Sequence, residues 1–323
     1  MGKGSAFGKT ILIGDQFVLN GVPAIISALP YQTDTLVERL PKGKGFTVID
    51  NRAEVPGYKK KKEEACFISY KRMIKELKLD LKKNSIKITV GGDLLAGSGV
   101  GASAAISVSF ARACNNEFRL GLSKIDENYI GWCGEHAYHG LPSGVDNTAS
   151  SFGGLLMYMI RDGKKMYERI VPAKPLYVIL ANSGITYNTI LLEKHVEDLI
   201  KNNAGLFYTN LSKITGQVYE MRKAIEQGNL KEAGDIMVEN HKILKKMNLS
   251  HKKLDTLCEK SIKMGAYGAK LTGGGRGGYM VALVKDPAMQ KKIAAEFESE
   301  KIPVISARLG INSVDKVAFR ILR

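Results

Sequence analysis

The chain has 323 residues, 44% of them hydrophobic and 25% charged, the balance of a folded globular protein long enough for two domains. No apolar run reaches the roughly 20 residues of a membrane span and no signal-peptide pattern opens the chain, so a cytoplasmic protein with no membrane partner is expected. Lysine and arginine outnumber aspartate and glutamate by 48 to 32, a net charge of +16, but the basic residues are dispersed and no finger, RNP or basic-zipper motif accompanies them, so no nucleic-acid partner is expected.

After a short glycine-rich lead, residues 9–13 and 17–19 read as strand, followed by an apolar stretch at 23–29 and a β-rich segment at 33–38. The dense basic run 59–62 reads as a solvated loop or helix start. Apolar spacing then predicts a helix over 64–79, and alternation predicts a strand over 86–90. Helices are expected over 103–118 and 123–136, the second opening on a capping pattern, Ser123 with Asp126. Strands follow at 153–159 and 176–181, then a helical layer over 189–263 broken near Gly228 and Asn229, a strand at 280–284, a helix at 287–300 and a last strand at 317–322. Charge and two prolines interrupt the pattern at 164–174, which divides the chain into domains 1–168 and 169–323. The cysteines Cys66, Cys114, Cys133 and Cys258 are widely spaced with no C-x-x-C pair and read as reduced, mostly buried thiols.

The densest chemical signal is the turn and helix start Gly97, Ser98, Gly99, Val100, Gly101, Ala102, Ser103, Ala104 and Ala105. Small residues in succession let backbone N–H groups converge on an anion at the positive end of the next helix, although a bland turn before a buried helix uses the same residues. A Walker loop ending at Gly8, Lys9 and Thr10 would need glycine where Lys3 stands. Gly97, Gly99 and Ala102 satisfy the dinucleotide fingerprint, but no second strand ending in an acidic residue follows. Phosphoryl transfer to a hydroxyl suits the remaining groups. Ser103 could ligate Mg²⁺ or simply cap its helix, and Glu135 and Asp146 are carboxylates able to divide labour as cation ligand and general base. His136 and His139, three apart, suggest a transition-metal site only weakly, since no third ligand is evident. Five glycines among residues 273–278 exceed what packing alone asks for and are expected to admit phosphate or the acceptor close to the backbone. Lys9 could place its ammonium beside a catalytic carboxylate.

Taken in order, these stretches resemble the GHMP kinase superfamily, and within it the mevalonate kinase branch. The likeness rests on the run from Gly8 to Gly21, on His139-Gly-Leu-Pro-Ser-Gly-Val-Asp-Asn-Thr148, its most specific part, and on Lys270-Leu-Thr-Gly-Gly-Gly-Arg-Gly-Gly278. The resemblance implies an α+β fold with an S5-like N-terminal domain and a ferredoxin-like C-terminal domain. It implies Asp146 as catalytic aspartate with Lys9 as its cationic partner, Ser103 and Glu135 as Mg²⁺ ligands, and Gly97 to Ala104 around the phosphates of ATP. It also implies Asp15, Gln16, Asn20, Gly273 and Gly274 at the acceptor. The reaction implied is phosphorylation of the C5 hydroxyl of mevalonate, in isoprenoid precursor synthesis; a homodimer is allowed for. Where the family reads G-E-H this chain has Gly14, Asp15 and Gln16, which motivates the alternative of another hydroxyl acceptor: a sugar, homoserine or the 3-hydroxyl of mevalonate. A silent binding protein of this fold is the reading from a different class.

Overall fold

In the computed structural model the described residues are 1–41, 43, 45–82, 85–185, 189–310 and 320–322. They form two compact units, both discontinuous in sequence: the first is built on Met1–Lys9 and Ala28–Gly153, with Leu322 joining it, the second on Thr10–Ser27 and Gly154–Ile321.

In the first unit, strand β4 (Ile86–Gly92) lies between β3 (Phe46–Asp50), parallel to it, and β2 (Ala24–Arg39), antiparallel over Thr33 to Arg39. Strand β1 (Gly2–Ile13) pairs with β2. The helices are α1 (Tyr58–Lys61), α2 (Glu63–Glu76), α3 (Ala102–Phe118), α4 (Lys124–Glu135) and α5 (Val145–Phe152). Alternate residues Ile86, Ile88 and Val90 of β4 bury against Tyr70, Met73 and Ile74 of α2 and Ile106 and Phe110 of α3. The Tyr70 and Phe110 rings meet edge-on with centroids 4.9 Å apart. Helix α4 begins on the capping box expected of Ser123 and Asp126.

The glycine-rich lead is strand rather than loop. A side chain at Gly2 or Gly4 would collide with the carbonyls of Ala113 and Ser109, so glycine here brings β1 flat against α3. Close approach also governs α3 against α4: a Cβ on Gly131 would stand 2.6 Å from Val108 Cγ2, and one on Gly134 2.7 Å from Ser107 Oγ.

In the second unit, β10 (Val304–Leu309), β7 (Leu176–Asn182), β9 (Tyr279–Val284) and β8 (Gly268–Leu271) form an antiparallel sheet in that order. Its helices are α6 (Thr189–Gln227, two helices joined at Asn203), α7 (Leu230–Lys246), α8 (Lys252–Lys263) and α9 (Pro287–Ser299). The break near Gly228 falls where expected, with Asn229 at the cap of α7. Strand β5 (Leu155–Arg161) pairs with the first residues of β2, Ala24 to Ser27, and with β6 (Lys164–Arg169). Strand β6 occupies the charged stretch read as a boundary; Tyr167 is its one buried residue, so it carries no alternation for a sequence to show. Of the strand expected at 317–322, Arg320–Ile321 forms β11 on β6, and 317–319 lie outside the described residues.

Residues 17–19, expected as strand, belong to a 3-10 helix, Asp15–Asn20, closed by Gly21. Phe17 and Val18 are buried, and a three-residue apolar run cannot separate the two conformations.

Strand β8 is seated by backbone contact: a side chain at Gly268 would collide with the carbonyl of Gly234, and one at Gly234 with the backbone of Tyr267. Gly234→Ala is therefore expected to destabilise the protein by about 1–3 kcal/mol through overpacking. Thermal unfolding beside a substitution on the exposed face of α7 would measure it.

Candidate active site

In the first unit, the strand, turn and helix order around residue 97 is as the sequence predicts. Gly97, Gly99 and Gly101 all have φ between 78° and 80°, and Gly101 caps α3 in the left-handed region that glycine enters without strain. The turn is packed from both sides. A Cβ on Gly97 would stand 2.5 Å from the Tyr58 ring, and one on Gly101 2.7 Å from Lys9 Cγ, while the Lys9 N–H donates to the Val100 carbonyl at 2.7 Å. At the start of α3 the N–H groups of Ala102, Ser103 and Ala104 have no partner within the helix, and the helix dipole adds positive potential there. Ser98 is buried, and its Oγ has no hydrogen-bond partner. The turn thus collects donors for an anion.

Because α3 and α4 touch through glycine, the end of α4 delivers Glu135 to the first turn of α3. Ser103 Oγ donates to Glu135 Oε2 at 3.2 Å, and Glu135 is only 2% exposed. Burial first, and the Asp146 carboxylate second, push the Glu135 carboxyl up to about 8. Its other oxygen, Oε1, is buried without a partner. Mg²⁺ is commonly bound through one or two carboxylates together with phosphate oxygens, and a hydroxyl beside an unsatisfied carboxylate oxygen fits it.

Asp146 stands in the first turn of α5, after Gly144 at φ 91°. The neighbours in its motif turn inward: Asn147 Nδ2 donates to Asn128 Oδ1 at 2.8 Å and Thr148 Oγ1 to the Gly144 carbonyl at 2.5 Å. Asp146 keeps 30% of its side chain exposed, and its Oδ1 lies 3.0 Å from Nζ of Lys9, which is 8% exposed. Lys9, Ser103, Glu135 and Asp146 therefore stand together in the first unit. His139 Nε2 lies 3.8 Å from Glu135 Oε2, while His136 faces Trp132 and the Gly140 carbonyl. Among the described residues no group of three His, Cys, Asp or Glu is placed to hold a metal ion.

In the second unit Asp15 has φ 39° and is 3% exposed, and both its oxygens are taken by Lys270 Nζ, at 2.9 and 2.7 Å. Lys270 is fully buried and also donates to the Leu271 carbonyl at 2.6 Å. Beside it, His241 accepts from the Leu271 N–H at 3.3 Å through Nδ1 and meets Asp255 at 3.1 Å through Nε2; burial and then the Lys270 charge lower its affinity for a second proton. Gln16, next to Asp15, has both side-chain amide atoms buried and unpartnered, and a Cβ on Gly274 would lie 3.8 Å from its Oε1. Asn20 is exposed at the end of the 3-10 helix. Gly273 has φ 79° with open space at its missing side chain. Packing does account for part of the glycine-rich loop, since side chains at Gly275 and Gly277 would run into the carbonyls of Leu249 and Ile185. Thr272 ties the loop to β1, accepting from the Ile11 N–H at 3.1 Å and donating to its carbonyl at 2.8 Å.

Sequence reasoning missed Tyr58 over the glycine turn and Lys270 as the partner of Asp15. A single tyrosine after a glycine carries no signal. For Lys270, the placement of a lysine between alanine and leucine at the end of a buried strand was the available clue.

Phosphoryl transfer asks less of covalent chemistry than of position and charge. A donor-rich helix start, a ligand pair for a hard cation and a lysine-held carboxylate supply both, and they define a phosphotransferase. The N-terminal domain pattern of the GHMP kinases matches residues 69–154 and their C-terminal pattern residues 221–303, and the chain belongs to the GHMP kinase family. It is 30% identical to the mevalonate kinase of Pyrococcus horikoshii, with 94% of each chain covered. The crystal structure of L. major mevalonate kinase in complex with R-mevalonate matches with a TM-score of 0.89 at 31% identity, covering 96% of each chain. That of Methanococcus jannaschii mevalonate kinase, 21% identical over 95% of this chain and 98% of its own, shares the fold with a TM-score of 0.77.

The Glu135 carboxyl ionises near 4.5 when unfolded and near 8 when folded. Between those values the folded chain holds the extra proton, so this group's contribution to stability falls as pH rises. Glu135→Gln removes that loss: its thermal midpoint is expected above that of the parent at pH 8, with the gap closing towards pH 4.5. Scanning fluorimetry across that range reads the difference.

Proposed function

We propose that the chain transfers the γ-phosphoryl group of ATP to the C5 hydroxyl of mevalonate, giving 5-phosphomevalonate and ADP. The Lys9–Asp146 contact at 3.0 Å carries this reading, set beside a glycine-cradled helix start in a chain alike over 96% of its length to a kinase crystallised with R-mevalonate. Asp146 accepts the hydroxyl proton as the oxygen forms its bond to the γ-phosphorus and the bond from phosphorus to the bridging oxygen breaks, the electron pair leaving with ADP. Lys9 fixes the direction of that carboxylate and sets a positive charge beside the group in transfer.

Gly97, Ser98, Gly99, Val100 and Gly101 cradle the ATP phosphates, with the N–H groups of Ala102, Ser103 and Ala104 facing them. Ser103 and Glu135 would hold Mg²⁺, which when bound offsets phosphate charge. Acceptor contacts are assigned to Gln16, Asn20, Gly273 and Gly274. Asp15, engaged by Lys270, acts by holding the start of the 3-10 helix that carries Gln16 and Asn20.

Two measurements test this. ADP release with mevalonate is expected to exceed release with galactose, homoserine or 5-phosphomevalonate; turnover confined to one of the others would overturn the acceptor. Asp146→Asn is expected to lower kcat by about 10²–10⁴-fold with ATP binding retained, and unchanged turnover would remove Asp146 from the role of base.

A further inference from the structure

The Lys9–Asp146 couple joins two elements far apart in sequence, β1 and α5, and one side chain outside the site bonds to both. Arg112, at the middle of α3, spreads its guanidinium over three partners. NH1 donates to the Ser5 carbonyl on β1 at 2.5 Å, NH2 to the Ser151 carbonyl on α5 at 2.5 Å, and Nε to Glu127 Oε2 on α4 at 3.2 Å. Ser5 precedes Lys9 by four residues, and Ser151 follows Asp146 by five. We infer that Arg112 is a positioning residue for phosphoryl transfer, setting the separation of Lys9 and Asp146 by clamping the strand and the helix that carry them.

The surroundings are arranged to hold this fork in one orientation. Glu127 is buried, and its second oxygen accepts from Asn115 Nδ2 at 2.8 Å, which fixes the carboxylate that receives Nε. Gly4 lets β1 lie against α3, where its Cβ would stand 2.6 Å from Arg112 Cβ, so the side chain rises beside the strand it holds. The far end of that strand segment is tied separately by the Lys9 N–H to Val100. On the α5 side, Asn128 Oδ1 accepts from both Asn147 Nδ2 at 2.8 Å and Ser151 Oγ at 3.1 Å, so Arg112 completes a set of contacts that flanks Asp146. A planar guanidinium presents donors on three separate nitrogens at fixed angles; the ammonium of lysine also has three donors but gathers them on one nitrogen, without that fork.

The inference rests on Asp146 and Lys9 carrying the transfer as proposed above. Its test is a double-mutant cycle in the full-length protein, combining Arg112→Lys with Asp146→Asn and reading steady-state kinetics with ATP and mevalonate. Alone, Arg112→Lys is expected to lower kcat about tenfold or more, because a small misplacement of reacting groups is costly, with KM for ATP held within about twofold. In the Asp146→Asn background the same change is expected to have little further effect, since the couple it aligns is already disabled. A purely structural role predicts otherwise: a lower thermal midpoint with kcat retained, or the same fold-loss in both backgrounds. Either result overturns the inference. Should Arg112→Lys fail to fold, Glu127→Gln loosens the same guanidinium at constant volume and is expected to show a smaller, equally non-additive loss; full kcat in that variant overturns the proposal. Full activity of Asp146→Asn by itself would instead overturn the assignment of the base, and this inference with it.

Discussion

Everything proposed for phosphate handling depends on how closely backbone can approach the two faces of α3. On one face Gly2 and Gly4 let β1 lie on the helix; on the other Gly131 and Gly134 bring α4 to it. Those contacts decide where Lys9 and Glu135 stand, because each lies a few residues along from a glycine that makes the approach possible. A larger side chain at any of these positions would move a charged group before it altered the chemistry of any residue, and a displacement of about 1 Å is enough to cost a phosphotransferase much of its rate. The alanines at the start of α3, Ala102, Ala104 and Ala105, serve the same end by burying against the core, and the first N–H groups of the helix are left without partners within it.

Charge inside the protein follows a second logic, in which the cost of burial is accepted where it directs a functional group. Glu135 is held in a site that favours its neutral form, with one oxygen unsatisfied, an arrangement that weakens the fold and suits a cation ligand. Lys270 bonds both oxygens of Asp15, yet a buried ion pair gains little over an apolar pair of equal volume. What the pair adds is direction. Asp15 sits at φ 39°, a backbone conformation that costs energy for any residue but glycine, and its bond to Lys270 holds the start of the 3-10 helix in register with the glycine-rich loop.

Much of this was legible in the sequence for a local reason. The glycine turn, the Ser123 capping box and the break at Gly228 are short-range signals whose chemistry lies within four or five residues, and the structure agrees at each. Features set by long-range contact were not legible. The glycine lead became a strand because α3 lies beneath it, the apolar run at Phe17 became a 3-10 helix because Gly14 and Gly21 turn the chain at its two ends, and β6 carried no alternation. In the same way neither compact unit is continuous in sequence, since β1 and β2 each give residues to both, and such long-range grouping leaves no trace in local composition. Lys270 and Arg112 illustrate this for single residues, as Lys270 pairs with Asp15, 255 positions away, and Arg112 reaches Ser5, 107 positions away.

The same division separates what the chain does to phosphate from what it selects as acceptor. A phosphate is recognised by converging N–H groups and positive charge, and glycine, helix start and lysine announce that in sequence whatever the detailed geometry. An acceptor is recognised by the shape and hydrogen-bond pattern of a few side chains, and one exchange resets it. Here the family's glutamate and histidine are replaced by Asp15 and Gln16. Both oxygens of the shorter acid accept from Lys270, while both amide atoms of the neighbouring Gln16 are buried without a hydrogen-bond partner. An amide offers a donor and an acceptor side by side and carries no charge, so a hydroxyl can answer both groups, whereas a carboxylate can answer only the donor. Mevalonate presents both kinds of group. For the proposed acceptor, that chemistry pairs Gln16 with a hydroxyl rather than with the carboxylate.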